Sequence, residues 1–92
     1  MDYLKQFSLK GKKAFIIGGS GLIGIQISNA ISQAGAKTYI LDIKKPDKNK
    51  IKNKKNITYV HFDCSSINQL EEFYNNVLEK FGVPEVFINC SY

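Results

Sequence analysis

The stretch Ala14-Phe15-Ile16-Ile17-Gly18-Gly19-Ser20-Gly21-Leu22-Ile23-Gly24 decides the fold. Its first four residues are apolar without a break, which suits a strand buried on both faces, as in a parallel sheet. Glycines follow at once. Beyond them apolar residues recur at Ile23, Ile27, Ala30, Ile31 and Ala34, with Gln26, Ser28, Asn29, Ser32 and Gln33 between. That spacing predicts an amphipathic helix, and Gly35 stands where its C-terminal cap belongs. Gly19, Gly21 and Gly24 satisfy G-x-G-x-x-G between the strand and the helix, the context in which the pattern binds a dinucleotide. One glycine makes a sharp turn at positive φ, one lets the backbone approach a pyrophosphate, and one lets helix and strand pack closely. The helix N-terminus then offers free N–H groups and a partial positive charge to the phosphates. No Gly-Lys-Ser/Thr follows, which excludes a Walker-type loop.

Outward from this unit, Lys37 to Leu41 reads as a second strand that ends at Asp42, and Ile57 to Phe62 as a third that ends at Asp63. Ser66-Ile67-Asn68-Gln69 fits a capping box. The helix it opens carries Ile67, Leu70, Phe73, Tyr74, Val77, Leu78 and Phe81 on one side, and Gly82 and Pro84 stop it. Val86 to Ile88 begins a fourth strand. Strands alternating with helices predict an α/β fold, a Rossmann-like doubly wound parallel sheet truncated after the fourth strand, with expected strand order 3-2-1-4 and one helix on each face. The 43–56 linker is anomalous, because a parallel connection needs a crossover and this one has a proline and almost no apolar positions. Any helix there should be short and poorly anchored. The fourth strand should form a short, apolar, unpaired edge.

At 92 residues, 43% of them hydrophobic and 23% charged, the chain is sized for one small globular domain. It has no run of roughly 20 apolar residues to cross a membrane. The lysines before Ala14 mimic the start of a signal peptide, but the apolar run breaks into glycines too soon. Cys64 and Cys90 are too few for a disulfide framework and read as buried, reduced thiols of a cytoplasmic protein. All 13 basic residues are lysine. Seven of them lie between Lys44 and Lys55 against the single acid Asp47, a local charge of +6, so the rest of the chain carries −1 of the +5 total. One loop is basic, not the protein. Without arginine or interleaved aromatics it reads as a solvated loop, and neither nucleic acid nor membrane is expected as a partner.

Asp42 lies 18 residues past Gly24, at the end of the second strand, where a carboxylate accepts from the adenosine ribose hydroxyls. It would repel a 2′-phosphate, so NAD is expected rather than NADP, although Lys44 and Lys45 stand near enough to neutralise such a group. As a simpler role, Asp42 would serve as a strand-end turn residue. His61 is the only histidine and lacks metal or catalytic partners, and neither cysteine has a CxxC context. No metal site is expected.

The segment from Phe7 to Gly24 resembles the opening of a short-chain dehydrogenase/reductase, with Gly18, Gly21 and Gly24 as the G-x-x-G-x-x-G variant. Phe62-Asp63-Cys64-Ser65 is similar to the family's aspartate segment beside the adenine. Phe87-Ile88-Asn89-Cys90-Ser91-Tyr92 is similar to its Asn-Asn-Ala-Gly segment, with only the first Asn kept. The resemblance implies cofactor-binding roles for Gly18, Ser20, Gly21, Leu22, Ile23, Gly24, Asp42, Asp63, Cys64, Asn89, Cys90 and Ser91. It implies an NAD(P)-dependent oxidoreductase that moves a hydride between nicotinamide and a carbonyl or alcohol substrate, and a homo-oligomer when complete. The Tyr92 variant resembles members linked to bacterial surface-sugar or flagellin modification. The family's catalytic Tyr-x-x-x-Lys pair is missing, because Phe7, Ile43, Asp63 and Leu78 follow four residues after Tyr3, Tyr39, Tyr59 and Tyr74. Residues 1–92 are therefore expected to be the N-terminal part of a single dinucleotide-binding domain, inactive alone, with the catalytic half absent. The alternative is a non-catalytic module that binds a nucleotide or a partner, which a reading frame continuing to a Tyr-x-x-x-Lys pair would exclude.

Overall fold

The structure is a computed structural model that describes residues 8–63 and 67–90, without the side chains of 67–69. Four strands form one parallel sheet: β1 (Lys13–Ile17), β2 (Lys37–Asp42), β3 (Ile57–His61) and β4 (Val86–Asn89), in the order β3-β2-β1-β4. Helix α1 (Leu22–Gln33) joins β1 to β2, and helix α2 (Ile67–Phe81) leads from β3 to β4. This is the expected doubly wound α/β arrangement. In β1 and β2 the register is in step, from Lys13 opposite Lys37 to Ile17 opposite Leu41. On the other side of β1, Ala14 lies opposite Val86 and Ile17 opposite Asn89.

Side chains of β1 alternate between two cores, because a strand points successive residues to opposite faces. Phe15 and Ile17 join Tyr39, Leu41, Phe62 and Val77 in one cluster, closed by Phe73, Tyr74, Leu78 and Phe81 of α2. The Phe15 ring meets Tyr39 edge-on at 5.6 Å and Tyr74 at 6.4 Å, the geometry that aromatic quadrupoles favour. Ala14 and Ile16 join Ala36 in the other cluster, beneath Ile27 and Ile31 of α1 and beside Val86 and Ile88 of β4. Each face thus carries one helix, as the sequence implies.

Two expectations are corrected. The face α1 buries consists of Gly24, Ile25, Ser28, Asn29 and Ser32; Ile27 and Ile31 are half-buried beside it, Ala30 is exposed, and Ile23 is 71% exposed. Gly24, Ser28 and Ser32 let the helix lie close, and Ile25 is the one large apolar side chain on the packed side. The linker, too, is better anchored than its composition suggests. It holds only a 3₁₀ turn, Lys48–Lys50, capped by the Asp47 side chain, but Asn29 ties it to α1. The Asn29 amide donates to the Lys50 carbonyl (2.8 Å) and accepts from the Lys52 N–H (2.9 Å). Asn53 adds a bond to the Ser32 carbonyl (3.2 Å). The linker's backbone groups need partners wherever water is excluded, and polar residues of α1 supply them.

The third strand stops at His61, one residue earlier than expected, and Phe62 is almost fully buried beyond it. The expected capping box at Ser66 and Gln69 lies outside the described residues and side chains.

Candidate functional site

The carboxyl ends of all four strands meet along one edge, held by backbone bonds. The Gly18 N–H donates to Leu41 (2.8 Å), Phe62 to Asp42 (3.0 Å) and Cys90 to Ile17 (2.7 Å). In open α/β sheets ligands bind outside this edge, where the connections diverge to opposite faces. Here α1 leaves β1 toward one face and α2 reaches β4 from the other.

The glycines make distinct demands. Gly18 turns the chain at φ +74°, a left-handed conformation that side chains disfavour. A Cβ on Gly24 would collide with the Gly18 carbonyl oxygen and lie 2.7 Å from the Gly19 Cα, so α1 sits against the loop's own backbone. A Cβ on Gly19 would lie 2.9 Å from Ile40, a packing constraint that reading the sequence for ligand contacts passes over. Gly21 differs. Its φ is −73°, and a Cβ there would have nothing nearer than the Gly18 oxygen at 3.6 Å. The fold itself therefore makes no steric demand for glycine at 21.

Gly21 is the N-cap of α1, and no side chain caps the helix or places an acid in its first turn. The first N–H groups of α1 thus face the loop with the positive end of the helix dipole. The Ser20 hydroxyl oxygen is shielded from solvent and has no hydrogen-bond partner among the described residues. Leu22 and Ile23, at 81% and 71% exposed, stand open at the helix start. An uncapped helix start, an orphaned hydroxyl and an uncrowded glycine fit a phosphate-bearing ligand.

Asp42 is fixed beside this loop. Its carboxylate accepts from the Ser20 N–H (3.0 Å) and the Lys44 N–H (3.2 Å). Two bonds leave capacity for more, since a carboxylate offers about four acceptor positions. The Tyr59 hydroxyl, on neighbouring β3, donates to the Asp42 carbonyl (2.9 Å) and lies 3.4 Å from His61 Nδ1. Burial first, and the Asp42 charge second, hold the Tyr59 phenol above its ordinary pKa. It therefore stays a proton donor to that strand end.

Asn89 ends β4, and Asp63 lies two residues past the end of β3. Cys90 is a free, half-buried thiol whose side chain packs on the α1-side core, a structural placement. Cys64 and Ser91 lie outside the described residues. Next to Asp42 and Ser20, a cleft of about 700 Å³ opens between the start of α1 and the linker. Lys44, Lys45, Lys50 and Lys52 line it, with Asp47 as the one acid. Sequence reading singles out Lys44 and Lys45 near Asp42. It misses Lys50, Lys52 and the Asn29 clamp, because only the fold carries the linker back over α1.

The family model for short chain dehydrogenase matches residues 12–91. The chain belongs to the short-chain dehydrogenase family. It is 32% identical over 92 residues to a probable NADP-dependent mannitol dehydrogenase of Yarrowia lipolytica and, equally, to a sorbose reductase of Candida albicans. Each alignment covers 95% of this chain and 33% of the relative, so the chain spans about a third of the length of these short-chain dehydrogenases. A crystal structure of 2-keto-3-deoxy-D-gluconate dehydrogenase from Streptococcus agalactiae superposes with a TM-score of 0.75 at 30% identity, over 98% of this chain and 36% of that one.

Proposed function

We propose that these residues form the cofactor-holding part of a nicotinamide-dependent oxidoreductase that interconverts an alcohol and a carbonyl compound. One observation carries the reading: the Gly18–Gly24 loop opens an uncapped helix and is tied through Ser20 to a carboxylate at the end of β2. The N–H groups at the start of α1 would hold the pyrophosphate, Gly21 giving it room, and Asp42 would accept from the adenosine ribose. Asp63 and Asn89, with Cys64, Cys90 and Ser91, would line the rest of the edge. A bound nicotinamide dinucleotide supplies the hydride chemistry. The chain's own part is to orient that group and to keep the Asp42 carboxylate still while it does so. No Tyr-x-x-x-Lys pair lies in these 92 residues, so proton transfer to substrate is not assigned to any of them.

The fixed carboxylate supports NAD as the preferred form, since a 2′-phosphate beside Asp42 meets like charge. A relative described as NADP-dependent and the lysines of the adjoining cleft support a preference of modest size. The relatives' names, mannitol dehydrogenase, sorbose reductase and a keto-deoxy-gluconate dehydrogenase, support a polyhydroxylated substrate for the whole protein, which we take to assemble as a homo-oligomer. Calorimetric titration of the full-length protein with NADH and NADPH tests the cofactor reading. Asp42→Ala should weaken NADH more than NADPH. Equal losses would remove Asp42 from the ribose site, and failure of the unaltered protein to bind either dinucleotide would overturn the function.

A further inference from the structure

The sidechain amide of Asn29 is a feature that the glycine loop does not explain. Asn29 is only 8% exposed, in the middle of α1, yet both ends of its amide are spent on the linker, at the Lys50 carbonyl and the Lys52 N–H. Those two lysines, with Lys44 and Lys45, form the basic wall of the cleft beside Asp42. The acid among them, Asp47, already accepts from the Asn49 N–H (2.9 Å). Lys44 is linked to Asp42 through its own N–H, so the wall begins where the ribose-binding carboxylate ends.

We propose that Asn29 is a positioning residue for cofactor selectivity: by clamping the linker against α1 it fixes the lysine wall beside Asp42, and so sets how well a dinucleotide bearing a 2′-phosphate is accepted. The inference rests on the dinucleotide reading above. A flexible lysine loop would give a phosphate only diffuse, screened attraction, because long exposed side chains lose much of their Coulomb gain to entropy and salt. A clamped loop spends less ordering when the phosphate arrives. A dinucleotide without the 2′-phosphate gains little from the same wall. The clamp should therefore act on one cofactor and not on the other.

The test measures NADH and NADPH affinities of the full-length protein, at low and high salt, for two variants. Asn29→Ala removes the clamp and leaves every lysine in place. A fourfold Lys→Gln change at 44, 45, 50 and 52 removes the charge at exposed positions and leaves the clamp. Each should weaken NADPH by about tenfold, which corresponds to ~1.4 kcal/mol, with NADH changed much less and the salt dependence of NADPH binding reduced. If Asn29→Ala weakens both cofactors equally, Asn29 is merely structural and the inference fails while the dinucleotide reading stands. Should Asn29→Ala not fold, the lysine variant decides alone: an unchanged NADPH-to-NADH ratio overturns the inference. If the unaltered protein binds neither cofactor, the dinucleotide reading falls and takes this inference with it.

Discussion

Alanine placed at Gly24 and at Gly21 should produce opposite failures. At Gly24 the added Cβ overlaps the Gly18 oxygen and lies 2.7 Å and 2.9 Å from the Gly19 Cα and carbonyl carbon. Carbon atoms settle at about 3.5–4.0 Å, so helix and loop must part by roughly 1 Å. Helix propensity alone would favour alanine by about 1 kcal/mol. Overpacking costs about 1–3 kcal/mol, and backbone, unlike a side-chain tip, cannot swing aside. The upper part of that range should hold, for a net loss of about 1–2 kcal/mol. At Gly21 the backbone is extended (φ −73°, ψ 176°) and the nearest atom is 3.6 Å away. Only the weaker N-cap preference is lost there, about 0.5–1 kcal/mol. A pyrophosphate drawn onto the helix start would meet the new methyl, however, and dinucleotide affinity should fall at least about tenfold. Urea unfolding midpoints and calorimetric cofactor titration of the full-length protein read the two effects separately. A Gly24→Ala protein as stable as the original would refute the close-approach argument. A Gly21→Ala protein that binds dinucleotide undiminished would refute the placement of the phosphates.

Glu85 sets a pH-dependent term. Its carboxylate accepts from the Lys13 N–H at 2.7 Å, and that bond first, then its own N–H and the Lys12 and Lys13 charges, hold its pKa below the ordinary carboxylate value. The stability it contributes is present above the unfolded carboxyl pKa of about 4.3 and is lost as pH falls through the lowered folded value. Glu85→Gln should therefore be less stable than the original at neutral pH, with the gap closing in acid; a gap that persists to pH well below that range would show that the carboxylate is not responsible. The thiols test the sheet order. In the sequence Cys64 follows β3 and Cys90 follows β4, and these strands are the opposite edges of the sheet, about 14 Å apart at roughly 4.8 Å per strand, a span beyond the ~7 Å Cα limit for a disulfide. Both should titrate free in denaturant without reductant, and an intramolecular bridge would refute the order.

The strands were legible because each is built around an apolar or β-branched run bounded by turn residues, and their order followed from the alternation of strands and helices, which points to a doubly wound sheet. A buried parallel strand cannot hide that signature: Ala14 to Ile17 are all buried, three of them completely. Helix α2 was legible for a related reason. It lies against a bulky face of the sheet, where Tyr74 meets Phe15, Phe81 meets Tyr39 and Phe73 meets Phe62. The place of Asp42 beside the glycine loop was legible from its distance to the glycines, which the geometry of a strand–helix–strand unit fixes. The Asn29 clamp was not, since the bond between α1 and Lys50 spans 21 residues with no local pattern to announce it.

The buried face of α1 was misleading, and the reason bears on what the helix does. Hydrophobic spacing shows where apolar side chains lie, but a helix that must approach backbone within van der Waals distance selects for absence of volume. Gly24 makes that contact, against the backbone of Gly18 and Gly19, and Ser28 and Ser32 on the same face are at most 1% exposed. The Ser32 hydroxyl is satisfied by the Asn29 carbonyl one turn earlier (3.0 Å), so burying it need not cost an unmade bond. A side chain at position 24 would lift the start of α1 from the loop and carry its first N–H groups away from Ser20 and Asp42. Ile27 and Ile31 lie to the side, packed against Ala14, Ile16 and Ala36, because the position of the helix start, and not the area the helix buries, is what this unit must hold constant if it is to meet a phosphate.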